Sequence, residues 1–368
     1  MKHSEIGISI YPDFYGPKEL ESQVLRASEL GYTHIFTSIQ LGDSGFDNTK
    51  SITDYDFLVL FELCEKHGLI LHVDINNRVL KELGGTPTDL SVIKQLKIKV
   101  LRLDGGFTND EVAQMTNNPY DIQIEENTSM LIDTEQRILT IATQGTLSNY
   151  VACHNFFPRN DTGLSFDNAI ELAQRYASHG LKNGIFIGSL YSPNDLNASG
   201  NGVPTIEEHR TTPAHIAYSE LRNTGLFDII LFGDSNPRDD ELVEVARVAK
   251  LDYVEIPVWL DVSLPKAIKT LVTDTLMLSR PDQAESMIRA TQTRKRIEIQ
   301  PYNTILRPSY AITLDNNRSN RYEGECQIML KDLPSTPVAN VIGQVKPTGK
   351  RLVEQVKSRS LPFKLKEE

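Results

Sequence analysis

The chain has 368 residues, 39% of them hydrophobic, and a formal charge of −11. That length exceeds one small domain and calls for about two, while the acid excess excludes a nucleic-acid partner, which needs a basic face. No apolar run approaches the roughly 20 residues of a membrane span, the opening MKHSEIGISIYPDF holds no signal-peptide core, and Cys64, Cys153 and Cys326 are sparse and far apart, as in a reducing cytoplasmic setting.

Taken in order, Ile6 to Tyr11 reads as a first strand, and a helix follows with Leu20, Val24, Ala27 and Leu30 on one stripe, stopped by Gly31. His34 to Ile39 is a second strand, and a helix through Phe57, Leu60, Phe61 and Cys64 leads to a third at Leu69 to Ile75. Lys99 to Asp104, Asp121 to Glu125, Tyr150 to Asn155, Gly184 to Gly188 and Asp228 to Asp234 continue the series, with helices between them such as Asn168 to His179 and Asp240 to Lys250. Eight β-α units predict an α/β fold of (β/α)8, TIM-barrel type over residues 1–250. An open doubly wound sheet is the runner-up, but IGISIYPDFYGP lacks the glycine-rich phosphate turn that such a sheet wants. Beyond residue 250 the rhythm changes. Val254 to Trp259, Ala311 to Leu314, Gly324 to Leu330 and Ala339 to Val345 predict a β-rich domain over 251–368, expected as a small barrel. The basic residues of the tail, Arg351, Lys357, Arg359, Lys364 and Lys366, read as a solvated terminal segment.

In a barrel of this type the strand ends share one mouth. They bring Ser9, Tyr11, Ser38, Asp74, Asn76, Asp104, Glu125, Glu126, Asn127, His154, Asn155, Ser189 and Asp234, and the loop after strand seven adds Glu207, His209 and Arg210. Two facing carboxylates divide acid, base and nucleophile duties, as glycoside cleavage requires. Amides suit sugar hydroxyls, and Arg159, Arg210 and His209 suit a phosphate or carboxylate. Plainer roles stand beside these: Asp74 and Asp104 as helix N-caps, Asp234 as a turn residue, Glu207 at a positive helix end, His154 as a core histidine. Strand alternation sends His154 into the mouth and Cys153 towards the helices, with Arg159 at the rim.

Several fragments together carry a resemblance. ISIYP, LRLD-x-GF at Leu101 to Phe107, ACHNFFPR at Ala152 to Arg159, TGLS at Thr162 to Ser165, PTIEEHR at Pro204 to Arg210, FGD at Phe232 to Asp234 and RYEGECQIMLKDLP at Arg321 to Pro334 resemble the 6-phospho-N-acetylmuramidase (MupG-type) family, in order along nearly the whole chain. The resemblance implies a TIM-type barrel followed by a cyclophilin-like β domain. It also implies a cytoplasmic glycosidase that acts on a phosphorylated amino-sugar disaccharide, MurNAc-6-phosphate-GlcNAc, in cell-wall recycling. The phosphate and lactyl carboxylate of that substrate give a basic pocket in an acidic protein a purpose.

On this reading Asp74 and Asp104 are the first catalytic pair and Glu207 the rival acid/base. Ser9, Tyr11, His154, Asn155 and Asp234 meet the sugar, while Arg159, His209 and Arg210 meet its anionic groups. No cofactor or metal is expected. Two alternatives stay open: a metal-dependent sugar-phosphate isomerase or epimerase built on His154, Asp104 and Glu125, for which no close metal-ligand spacing exists, and a non-catalytic carbohydrate-binding protein. The second domain either completes the pocket, with Arg318, Arg321 and Tyr322 as candidates, or mediates a homodimer.

Overall fold

The computed structural model describes residues 3–39, 55–191, 196 and 202–368. Two units result, residues 2–250 and 251–368.

In the first unit, eight parallel strands close into a barrel: β1 (Glu5–Ser9), β2 (His34–Ser38), β3 (Ile70–Ile75), β4 (Val100–Leu103), β5 (Gln123–Asn127), β6 (Tyr150–Cys153), β7 (Asn183–Ile187) and β8 (Ile229–Ser235). Closure falls between β1 and β8, and the packing there is tight. A Cβ at Gly7 would collide with the Leu231 side chain of β8 and lie 2.7 Å from the His34 carbonyl oxygen of β2, so glycine is the residue that lets the strands meet. Between the strands run α1 (Pro17–Leu30), α2 (Tyr55–Lys66), α3 (Asn77–Glu82), α4 (Ser91–Gln95), α5 (Asn109–Thr116), α6 (Thr134–Gln144), α7 (Phe166–Ser178) and α8 (Ala214–Thr224), and α9 (Asp239–Ala249) follows β8. Helix α1 shows why these segments are helical. Pro17 opens it, the Glu19 carboxylate accepts the Gly16 N–H, Leu20, Val24 and Ala27 are buried, and Gly31 closes it at φ 90°.

The barrel interior has two characters. One part is apolar, with Phe36, Phe156 and Phe186 in edge-on contact at 5.1–5.7 Å between ring centroids and Cys153, Ile229 and Leu231 in the same cluster. The part along β2 to β5 is polar and carries His34, His72, Asp74, Arg102 and Glu125, all buried.

The second unit is a curled six-stranded mixed sheet, a half-barrel in the order β10-β12-β11-β13-β9-β14. Its strands are β9 (Val254–Leu260), β10 (Met287–Ala290), β11 (Ala311–Asp315), β12 (Cys326–Met329), β13 (Ala339–Val345) and β14 (Phe363–Glu367), with helices α10 (Lys266–Asp274) and α11 (Lys350–Arg359). Here the sequence expectation is corrected for the tail. Residues 350–367 form α11 and a strand parallel to β9. Phe363 and Leu365 alternate inward while Lys364 and Lys366 stay partly exposed, a half-buried strand that charge counting hides. No helix among the described residues is long and apolar enough to cross a membrane.

Candidate active site

Strand register brings the polar side chains together. Ser38 pairs with Asp74, Asp74 with Arg102 and Arg102 with Glu125, so four adjacent strands contribute one row. Arg102 is its centre. Its Nη1 donates to Asp74 Oδ1 at 2.6 Å and lies 3.6 Å from Asp104 Oδ1, its Nε lies 3.7 Å from Glu125 Oε1, and its Nη2 donates to Asn155 Oδ1 at 3.4 Å. The guanidinium is wholly buried beside the Phe36 ring. Burial alone would pull its pKa down, yet the facing carboxylates hold it above the ordinary arginine value. A buried cation of this kind is tolerated because it is paired on several sides.

The two expected catalytic carboxylates share this guanidinium but differ in surroundings. Asp74 is 4% exposed and also accepts from Ser38 Oγ at 3.2 Å. The Asp104 side chain is 34% exposed and accepts from Asn127 Nδ2 at 2.8 Å. Because Asp74 Oδ1 and Asp104 Oδ1 lie 2.6 Å and 3.6 Å from one nitrogen, they are at most about 6 Å apart, near the short separation of retaining glycosidases. Neither aspartate caps the helix after it. Asn76 caps α3 and Thr108 caps α5.

Asp104 sits on a braced loop. On the opposite face of β5 from Glu125, Glu126 pairs with Arg137 at 3.0 Å and accepts from the Tyr150 hydroxyl at 2.5 Å. Burial raises the Glu126 pKa against the pull of that pair. Arg137 in turn donates to the Phe107 and Thr108 carbonyls at 3.0 Å and 2.7 Å, pinning the chain just beyond Asp104.

Below the row a buried column runs through the barrel. Glu125 Oε2 meets His72 Nδ1 at 2.9 Å, His72 Nε2 meets His34 Nδ1 at 2.8 Å, and His34 Nε2 meets Glu5 Oε2 at 3.0 Å. Three hydrogen bonds need three protons, and two neutral imidazoles supply two. With every link made, the column holds one extra proton. Burial would raise the Glu125 pKa, but His72 and Arg102 outweigh it and bring it below the carboxylate range. Burial lowers the His34 pKa, so its contact with Glu5, whose side chain is 52% exposed, is the link that loses the proton first.

The other expected residues fall into different places. Glu207 and Arg210 form a fork: Nε and Nη2 each donate to the carboxylate at 2.7 Å, and Glu207 also accepts from the Asp161 and Gly163 N–H groups. Arg210 donates as well to the Phe157 and Gly202 carbonyls. The pair therefore ties the loops after β6 and β7 together, and Arg210, its donors in use, is not the expected anion ligand. Arg210 and the two backbone donors hold the Glu207 pKa at about 2, so the carboxyl keeps no proton to give near neutrality, contrary to its expected acid role.

His154 is corrected too. Cys153, not His154, joins the interior cluster. The buried His154 ring rests edge-on against Phe227 with Nδ1 3.3 Å from Ser129 Oγ. The strand's phase is one residue off the expectation, and period-two alternation then turns every side chain over. Ser9 and Tyr11 donate to the Phe232 and Gly233 carbonyls and join β1 to β8. Asp234 accepts from the Ser189 and Val203 N–H groups. His209 is buried against Phe166 and bonded to Glu220 at 3.0 Å. Arg159 is exposed, and its guanidinium has no partner among the described residues. The suggested metal set of His154, Asp104 and Glu125 is not assembled, and among the described residues no group of three or more His, Cys, Asp or Glu could hold a metal ion.

Comparison with known proteins agrees with this fold. No curated protein matches the chain. Among solved structures, an uncharacterised protein of B. cereus is 27% identical with a TM-score of 0.85, each chain covered over 100%. A conserved Enterococcus faecalis protein of unknown function is 23% identical with a TM-score of 0.75, over 99% of this chain and 97% of that one, and shares the fold. The 6-phospho-N-acetylmuramidase N-terminal model matches residues 6–247 and the C-terminal model residues 254–366. With a barrel whose mouth pairs two carboxylates and with both family models matched in order, the chain belongs to the 6-phospho-N-acetylmuramidase family, a family of glycosidases.

Proposed function

We propose that the barrel mouth hydrolyses the glycosidic bond of MurNAc-6-phosphate-GlcNAc, releasing MurNAc 6-phosphate and GlcNAc, in the cytoplasmic recycling of cell-wall fragments. The observation that carries this reading is the pair Asp74 and Asp104, held on one guanidinium with their nearest described oxygens at most about 6 Å apart. Asp74, buried in an ion pair, is placed as the carboxylate that attacks the anomeric carbon. Asp104, at the more open edge, gives a proton to the leaving GlcNAc oxygen. Water then attacks the anomeric carbon and displaces the Asp74 carboxylate while Asp104 takes a proton from that water, so the anomeric configuration is retained. Asn155 stands beside Arg102 and suits a sugar hydroxyl, and the exposed Arg159 suits the phosphate or lactyl carboxylate.

The test is incubation of purified protein with the phosphorylated disaccharide, with release of GlcNAc and the anomer of MurNAc 6-phosphate read by proton NMR. Release with retention is expected. No release by folded protein overturns the reading, and release with inversion overturns the roles given to the two aspartates.

A further inference from the structure

The motif RYEGECQIMLKDLP lies in the second unit and is not used by the barrel chemistry. Its first residues close a turn, Asn317 to Tyr322, that returns towards residues 293–295. Gly324 makes the return possible. Its φ is +81°, and a Cβ there would sit 2.9 Å from the Thr293 carbonyl oxygen. The turn delivers the Tyr322 ring into a group of guanidiniums. Arg294 and Arg321 each lie 4.8 Å from its centroid, and Arg289 lies 5.7 Å away.

One fully buried carboxylate holds two of these in place. Arg289 Nε and Nη2 donate to Glu325 at 2.6 Å and 3.2 Å, and Arg294 Nη2 donates to the same group. Arg321 donates to the Tyr322 hydroxyl at 2.7 Å. Lys295 and Arg280 are neutralised separately by Glu323 and Asp282. Asp315 is the other acid facing the group. Burial raises its pKa to about 6, and Ser319 donates to it. Against three guanidiniums stand two acids, Glu325, which binds Arg289 and Arg294, and the nearby Asp315, which leaves the cluster positive in a chain of net charge −11. Burial, Arg289 and Arg280 together depress the Arg294 pKa, as expected where cations outnumber their anions. Arg294 Nε is buried without a partner. Glu325 holds Arg289 and Arg294 and the Tyr322 ring and hydroxyl hold Arg321, but one positive charge remains in excess where the three guanidiniums repel one another.

We propose that Arg289, Arg294 and Arg321, set around Tyr322 and fixed by Glu325, form an anion site for a phosphate monoester. Planar forks held at fixed angles by a buried carboxylate are suited to a tetrahedral dianion, which accepts several charge-assisted bonds at once. The inference does not depend on the catalytic roles of Asp74 and Asp104. The ligand is a phosphorylated small molecule bound by the second unit itself.

The experiment is calorimetric titration of the full chain with inorganic phosphate at low ionic strength, alongside Arg321→Gln, Arg294→Gln and Arg159→Gln, with circular dichroism to show folding. A saturable site is expected. It weakens about tenfold or more in Arg321→Gln, the loss of one charge-assisted bond, and stays unchanged in Arg159→Gln. Arg321 is exposed and makes no bond to Glu325, so its variant remains informative if Arg294→Gln fails to fold. Absence of saturable binding overturns the proposal, as does equal affinity in Arg321→Gln. Binding lost in Arg159→Gln and kept in Arg321→Gln assigns the phosphate to the barrel and overturns it too. An enzyme inactive on the disaccharide that still binds phosphate through Arg321 overturns the catalytic reading and leaves this one standing.

Discussion

Glu207→Gln separates a strut from a catalyst. The wild-type carboxyl titrates at about 2 instead of 4.5 because Arg210 and the Asp161 and Gly163 N–H groups stabilise its anion. At about 1.4 kcal/mol for each pH unit, that gap corresponds to ~3 kcal/mol. The side chain is 31% exposed, so solvent screening reduces the figure to about 1–2 kcal/mol. The sign follows from the direction of the shift. A lowered carboxyl pKa contributes stability that is fully present above about 4.5 and is lost as the pH falls through about 2. Urea denaturation should therefore show Glu207→Gln less stable than wild type by about 1–2 kcal/mol at pH 7, with most of the difference gone at about pH 2. Its kcat should stay within about threefold of wild type, because no proton transfer is assigned to it. A thousandfold fall in kcat with unchanged stability would refute the reasoning and return Glu207 to the acid/base role.

Two further substitutions bear on the barrel mouth. Asp74→Asn and Asp104→Asn should each lower kcat by about a thousandfold or more while leaving the protein folded, as measured by GlcNAc release and near-ultraviolet circular dichroism. Arg102→Met keeps the bulk but leaves Asp74 and Glu125 without their buried counter-charge, so chemical denaturation should show a loss of about 3–5 kcal/mol.

The barrel was legible in the sequence because its signal is repeated. Each strand is a short apolar run, each helix carries a stripe, and one wrong boundary does not disturb the other units. The site was legible only in part. Asp74, Asp104 and Asn155 could be found by asking which polar residues end a strand. Arg102 could not, since it lies inside a strand among apolar neighbours. Its signal was periodic: residues 100, 102 and 104 share a face, so an arginine there points where Asp104 points and must be paired. The same rule applied to β3 would have placed His72 beneath Asp74. Phase was the weak point. β5 runs to Asn127, two residues past the expected end, and in β6 Cys153 takes the interior place expected for His154. Glu207, Arg210 and Asp234 look catalytic by residue type, yet they bond carbonyls, N–H groups or one another, and His209 bonds Glu220. The contacts of Glu207 with Asp161 and Gly163, of Arg210 with Phe157 and of Asp234 with Ser189 and Val203 cross between distant segments, which local spacing does not reveal.

Strand β5 shows how one segment serves both the charge and the geometry of the mouth. Glu125 faces inward and lies between Arg102 and His72, while Glu126 faces outward and holds Arg137. Around Arg102 stand three carboxylates, Asp74, Asp104 and Glu125, so the group is short of positive charge. His72 and Arg102 together keep Glu125 ionised at full burial, and Arg102 Nη1 holds Asp74 closely and Asp104 loosely. The tight contact suits a carboxylate that must stay charged, and the loose one suits a group that must exchange a proton. The two aspartates thus differ in their distances to a single nitrogen, 2.6 Å and 3.6 Å, as well as in their other partners, Ser38 for Asp74 and Asn127 for Asp104.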